Sequence, residues 1–243
     1  MKILYLNCFR RLKRNANGQR DWLKKIVEEN DIDVVCLAES SNYDFGDLLP
    51  DMFPDNMKHR WNDNQSILGK SGWKFNICTK HPAIFEPINY PVPEILVGSK
   101  DLDVLTDYCT GKMVSISFDH VKYNLLPVHI QHKSGKSQKR TKGNALYEEG
   151  LLKLRNHMIV HKPIVVFGDF NNYPEDKSFT DLTKDTGYHK ANALTIPYTY
   201  RNNKEDPGVL IDHAFTNSEN VYMEFIPAIE QGFNHHGMFI TIK

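Results

Sequence analysis

An apolar run from Ile164 to Phe167 stops at Gly168 and at once presents a carboxylate, Asp169, and, two positions on, an amide, Asn171. Such a run reads as a buried strand, and the spacing lets both polar groups face one way from its end. Strand ends that deliver polar groups into a crevice are where open α/β sheets hold their chemistry. An Asp and an Asn so placed can orient a water and hold an oxyanion, which points to hydrolysis. Further polar groups stand at the ends of other apolar runs. Asn7 ends the first, Glu39 follows Asp33–Ala38, and His129 follows Pro127-Val128. Asp212 lies within Val209–Phe215, where a buried carboxylate must find a partner or neutralise. Asn234-His235-His236 precedes the last run, Met238–Ile242.

Strands must position these groups. The sequence supplies them at Ile3–Asn7, Ile32–Ala38, Lys74–Cys78, Met113–Phe118, Tyr123–Val128, Ile164–Phe167, Val209–Phe215, Val221–Phe225 and Met238–Ile242. Helical spacing predicts a helix over Asn17–Glu29, carrying Trp22, Ile26 and the stem of Lys25. A second is predicted over Arg140–His157, with Leu146, Leu151, Leu152 and Leu154, and a shorter one over Ser178–Thr186. Early strands alternate with helices and later ones form hairpin-like pairs. The expected fold is therefore α/β, a four-layer sandwich of two mixed β-sheets flanked by helices. At 243 residues, without repeats, low-complexity tracts or linkers, the chain is expected to form a single domain over 1–243.

No segment approaches the roughly 18 apolar residues that span a bilayer, so no membrane partner is expected. The first residues read as a strand rather than a signal peptide. Cys8, Cys36, Cys78 and Cys109 show no C-x-x-C spacing. They read as reduced core thiols of a cytoplasmic protein. The formal net charge is zero, but its distribution is uneven. From Phe9 to Lys25 seven Lys and Arg residues face one acid, Asp21, and from Ile130 to Gly143 Lys133, Lys136, Lys139, Arg140 and Lys142 face none. Charge runs are commonly solvated faces. These two follow Asn7 and His129, and a basic rim there would favour a polyanion.

The ordered motifs resemble the endonuclease/exonuclease/phosphatase family, with its deoxyribonuclease-I-like fold. The matching pieces are Leu6-Asn7, Asp33-Val34-Val35-Cys36-Leu37-Ala38-Glu39, His129-Ile130 followed by Arg140, Gly168-Asp169-Phe170-Asn171, and Ile211-Asp212-His213. The family's closing S-D-H segment is Phe233-Asn234-His235 here, with His236 beside it. In the family the core-facing residues of the last strand lie three, five and seven positions after the His. Counted from His235 these are Met238, Ile240 and Ile242, an apolar face; counted from His236 they are Phe239, Thr241 and Lys243. His235 is thus the expected catalytic residue, and Asn234 stands where the family has Asp.

The resemblance implies a metal-dependent phosphodiesterase. Glu39, helped by Asn7, would hold Mg²⁺ or Mn²⁺. Asp169 would orient or deprotonate water, and Asn171 would contact a phosphate oxygen. His235, steered by Asp212, and His129 would act on the phosphate. Arg140, Lys133 and Lys136 would contact the backbone of a nucleic-acid substrate, with Tyr173, Tyr198 and Tyr200 available to stack bases. Two other readings share the fold: a lipid or inositol phosphate hydrolase of the sphingomyelinase or inositol-phosphatase type, and an inactive relative that only binds, for which Asn234 is the support.

Overall fold

The computed structural model describes residues 1–9, 11–15, 17–40, 49, 52–53, 76–87, 109–130, 137–193, 196–203 and 205–243. Along the chain run β1 (Lys2–Asn7), α1 (Arg11–Arg14), α2 (Gln19–Glu29), β2 (Val34–Ala38), β3 (Asn76–Thr79), β4 (Ala83–Pro87), β5 (Cys109–Phe118) and β6 (Val121–Ile130). Then follow α3 (Ser137–His161), β7 (Val165–Asp169), α4 (Lys177–Thr183), β8 (His189–Lys190), β9 (Asn192–Ala193), β10 (Asp212–Thr216), β11 (Val221–Ile226) and β12 (Gly237–Ile242). Among the described residues two six-stranded sheets form, ordered β3-β2-β1-β12-β11-β9 and β4-β5-β6-β7-β10-β8. Both are mixed. In the first, β1 lies parallel to β2 and antiparallel to β12. In the second, β7 lies parallel to β6 and antiparallel to β10.

Period-2 alternation builds the layers. Ile3 and Tyr5 of β1, Val34 and Cys36 of β2, Leu125 of β6, Val165 and Phe167 of β7, and Met238 and Ile240 of β12 fill one buried cluster between the sheets. The alternate residues Leu4, Leu6, Val35, Leu37 and Phe239 turn outward to Leu23 and Val27 of α2. On the other side Leu126, Val128 and Val166 meet Tyr147, Leu151, Leu154 and Met158 of α3 and Phe179 and Leu182 of α4. The expected four-layer arrangement is the observed one.

Several local expectations are corrected. The α3 stripe runs through Tyr147, Leu151, Leu154 and Met158, at helical spacing, while Leu152 is exposed. The strand expected from Val209 begins only at Asp212: Val209 bridges Tyr200 instead, outside any named strand. Asp212 is therefore a strand-end residue like the others. The short strands β4, β8 and β9 carry no apolar alternation long enough to announce them. Cys8, Cys36 and Cys78 are buried free thiols. Among the described residues, no helix is long and apolar enough to cross a membrane.

Candidate active site

The same alternation that fills the core carries polar groups to one end of it. Asn7 follows Ile3 and Tyr5 on the inner face of β1, Asp169 follows Val165 and Phe167 on β7, and His129 follows Leu125 on β6. Register aligns three of these groups across the second sheet. His129 pairs with Asp169 and Asp169 with Asp212, so the three stand in one lateral row. All are buried, as are Asn7 and His235.

The first sheet meets this row from the facing layer. Asn7 Nδ2 donates to Glu39 Oε1 at 3.2 Å and to Asp169 Oδ2 at 3.0 Å. Its Oδ1 accepts the Phe9 N–H at 3.0 Å. Asn7 therefore addresses both carboxylates through its amide N–H, while its oxygen shapes the next turn. His129 Nε2 lies 3.3 Å from Glu39 Oε1 and 3.7 Å from Asp169 Oδ2. His235 Nδ1 sits 2.9 Å from Asp212 Oδ2. A carboxylate can only accept, so Nδ1 carries a proton. Nε2 then faces the site, 3.9 Å from Asp169 Oδ2. Asn171 donates its backbone N–H to Asp169 Oδ1 at 2.8 Å and its Nδ2 to Ile130 O at 2.7 Å. One amide proton expected on a phosphate is thus committed to the main chain, where it ties the ends of β6 and β7 together.

Burial and charge reshape the titrations. Burial, then the neighbouring Asp212 carboxylate, push the Asp169 carboxyl up to about 7 against the opposing pull of His235 and His129. Burial alone would lower the His235 imidazole, but Asp212, Asp169 and Glu39 raise it to about 9. For Glu39, burial acts upward but is outweighed by the bond and charge of His129 and by the Asn7 amide, so the net shift is downward.

Backbone conformation delivers several of these groups. Glu39, Asn171 and Phe9 have positive φ angles of 48°, 49° and 40°. For non-glycine residues this left-handed region is uncommon and collects at functional sites. At Gly168, with φ of 146°, a Cβ would lie 1.9 Å from Val128 O. The glycine before Asp169 is thus required by the close approach of β6.

Sequence reasoning missed three supports. Tyr5 lies beneath the site, edge-on to Phe167, and its hydroxyl accepts the Asp169 N–H at 2.9 Å from across the two layers. Its position two residues before Asn7, on the same face, was the available signal. Buried Thr199 accepts the Ile211 and Asp212 N–H groups on Oγ1 at 2.9 and 3.0 Å. Arg11 forks onto Asn234 Oδ1 through Nε and Nη2 at 2.9 and 2.8 Å.

A cavity of about 370 Å³ opens over the cluster, lined by Glu39, Asp169, Asn171 and His235 together with the rings of Phe9, Tyr173 and Tyr200. Tyr198 packs instead against Arg201 and His236. Arg140 falls in the first turn of α3, at the edge of the basic run. Lys133 and Lys136 lie outside the described residues. The first basic run is partly used up internally: Arg11 holds Asn234, Arg20 donates to Leu12 O, and Lys25 pairs with Glu29.

The donor set suits a hard divalent cation. Ligand atoms of Glu39, His129 and Asp169 all lie within 4.8 Å of one another, and those of Asp169, Asp212 and His235 form a second such group. Buried carboxylates held this close ask for a compensating positive charge.

Two packed mixed sheets with acidic and imidazole groups converging at one shared end define a phosphoesterase-type sandwich. The chain belongs to the endonuclease/exonuclease/phosphatase family, whose model matches residues 7–226. Members of that family are metal-dependent phosphoesterases. No curated protein sequence matches the chain. Among solved structures it is similar to beta toxin from Staphylococcus aureus, at 13% identity and a TM-score of 0.71, covering 100% of both chains. It also resembles sphingomyelinase C from Streptomyces griseocarneus, at 12% identity and a TM-score of 0.68, covering 100% of this chain and 99% of that one. The third is D. rerio TDP2 complexed with single strand DNA product, at 15% identity and a TM-score of 0.66, covering 100% and 98%. A variant of the same beta toxin was solved with bound magnesium ions.

Proposed function

We propose that the chain is a metal-dependent nuclease that hydrolyses phosphodiester bonds of DNA or RNA. The observation that carries this reading is the cavity in which Phe9, Tyr173 and Tyr200 share one lining with Glu39, Asp169 and His235. Phe9 and Tyr173 are 44% and 52% exposed. Exposed rings beside a phosphate-cleaving centre are platforms for unstacked bases, whose π-faces are recognised whatever their sequence. Lys133, Lys136 and Arg140 then serve as backbone contacts.

Glu39 is the residue that would hold Mg²⁺ or Mn²⁺, with Asn7 beside it bonded to both the Glu39 and the Asp169 carboxylates. The bound ion supplies Lewis-acid stabilisation of the charge that develops on phosphate oxygens. Asp169, at the end of β7 and facing the cavity, accepts a proton from the attacking water. The water oxygen bonds to phosphorus, the ester P–O bond breaks, and the leaving oxygen departs with the electron pair of that bond and takes up a proton from solvent. The surrounding carboxylates favour the protonated ring, so His235 donates Nε2–H to a phosphate oxygen while Asp212 fixes the ring.

A metal-titrated assay on single-stranded DNA, plasmid, RNA and sphingomyelin tests the reading. Nucleic-acid cleavage is expected, falling at least about a hundredfold in Asp169→Asn with the thermal midpoint retained. Release of phosphocholine without nucleic-acid cleavage would move the function to a lipid phosphate hydrolase. Binding without turnover would make the protein a non-catalytic relative.

A further inference from the structure

The residue that departs from the family pattern is the best-connected side chain at the rim of the site. Asn234 is buried. Its Oδ1 accepts two bonds from the Arg11 guanidinium, at 2.9 and 2.8 Å. Its Nδ2 donates to the carbonyls of Arg201 and Asn202, at 3.2 and 3.4 Å. Its own backbone oxygen accepts the Arg201 N–H at 2.9 Å. Arg11 lies four residues after Asn7 and two after Phe9. Tyr200 precedes Arg201, bridges the His235 backbone and lays its ring 4.7 Å from the His235 ring. One amide thus joins three of the segments that wall the cavity: the turn after β1, the segment around Tyr200–Asn202, and the entry to β12.

We propose that Asn234 is a positioning residue, and that an amide is required there because it must accept from Arg11 and donate to two carbonyls at once. A carboxylate can do only the first. An Asp at this position would set its second oxygen against the Arg201 and Asn202 carbonyls inside a buried site, where an unmatched acceptor is costly. Asn234 is then no decayed ligand: it is turned toward Arg11, and the chain has replaced an acidic group by a neutral clamp.

The proposal rests on the phosphodiesterase reading for its kinetic arm and has a second arm that does not. In the first, hydrolysis of bis(p-nitrophenyl) phosphate is measured against Mg²⁺ for the wild type, Asn234→Asp, Asn234→Ala, Arg11→Met, Arg11→Lys and the Arg11→Met/Asn234→Ala double variant. Expected is a fall in kcat of roughly tenfold in each single variant, with KM and the Mg²⁺ midpoint within about twofold and no further loss in the double. Arg11→Lys should fall with the others, since an ammonium cannot fork onto one oxygen as a guanidinium does. A higher kcat or tighter Mg²⁺ dependence in Asn234→Asp would overturn the proposal, as would additive losses or full activity in Arg11→Lys. In the second arm, amide exchange of Arg201 is followed by NMR. Exchange should quicken at least about tenfold in both Arg11→Met and Asn234→Asp; unchanged protection would overturn the clamp even if the wild type hydrolysed nothing.

Discussion

The two sheets are built on one plan but deliver their polar groups differently. Each centres on a strand with a parallel neighbour on one side and an antiparallel neighbour on the other, β1 between β2 and β12, β7 between β6 and β10. In the second sheet the plan alone places the chemistry. His129, Asp169 and Asp212 are strand residues in register, held by ladder hydrogen bonds. In the first sheet only Asn7 is a strand residue. Glu39 lies one position past β2 and His235 two positions before β12, in segments held by a short backbone bridge and by side-chain bonds: Tyr200 to His235, Arg11 to Asn234 and Asn7 to Glu39. One half of the site is fixed by continuous strand ladders and the other by a short backbone bridge reinforced by side-chain clamps. The first kind resists displacement, whereas the second can be retuned by single substitutions.

A glycine in each sheet offers the sharpest way to break that contrast. A Cβ on Gly168 would sit 1.9 Å from the Val128 carbonyl oxygen, which cannot move without parting β6 from β7. Gly168→Ala is expected to cost at least about 4 kcal/mol or to prevent folding, read by urea unfolding. On Gly237 the nearest atoms are Ile226 Cγ1 at 2.6 Å and Cδ1 at 2.7 Å, the end of a side chain that can turn aside. Gly237→Ala should cost only about 1–3 kcal/mol. Equal costs would remove the claim that the second sheet is the rigid half.

Acid should also strike the second sheet. His213 alternates with Asp212 on β10, points outward among Phe170, Phe179 and Phe215, and is kept neutral, burial pushing it down to about 4. Its Nε2–H donates to Asn172 O at 3.1 Å. Between the ordinary value near 6.5 and about 4, the unfolded chain binds the proton that the folded one refuses. This contribution is constant above that window and declines as pH falls through it, by about 3 kcal/mol in all. His213→Phe should flatten that part of the stability-versus-pH curve; an unchanged slope would assign it elsewhere.

Two smaller effects probe the seam and the clamps. Tyr5→Phe keeps the ring against Phe167 but removes the acceptor of the Asp169 N–H, and should lower stability by about 1–2 kcal/mol, with a parallel loss of kcat. Phe9→Ala should raise KM for a single-stranded oligonucleotide about tenfold while leaving hydrolysis of bis(p-nitrophenyl) phosphate within about twofold. Loss on both substrates would make Phe9 a support of the Asn7 turn rather than a base platform.

Much of this was legible in the residues. Apolar runs ending in Asn7, His129 and Asp169 placed these groups at strand ends, and in the fold they follow core residues on the same strand face. The choice of His235 over His236 rests on the family's spacing to the last strand's core face, and the observed β12 turns Met238, Ile240 and Ile242 into the inter-sheet core. Harder to read were features without a local period. Asp212 seemed internal to a strand because Val209–Ile211 are apolar, yet Val209 serves a bridge to Tyr200.

The sequence by itself determined the layers, the strand ends and the types of group they carry, since these follow from local alternation and composition. Only the tertiary structure decided what those groups face. The Asp169 N–H meets Tyr5 across 164 positions, and Arg11 meets Asn234 across 223. Such contacts depend on how two sheets stack and which rotamers survive packing, and no spacing along the chain encodes them. That is why an asparagine that read as a lost acid proves, in the folded chain, to be the centre of a hydrogen-bonded clamp.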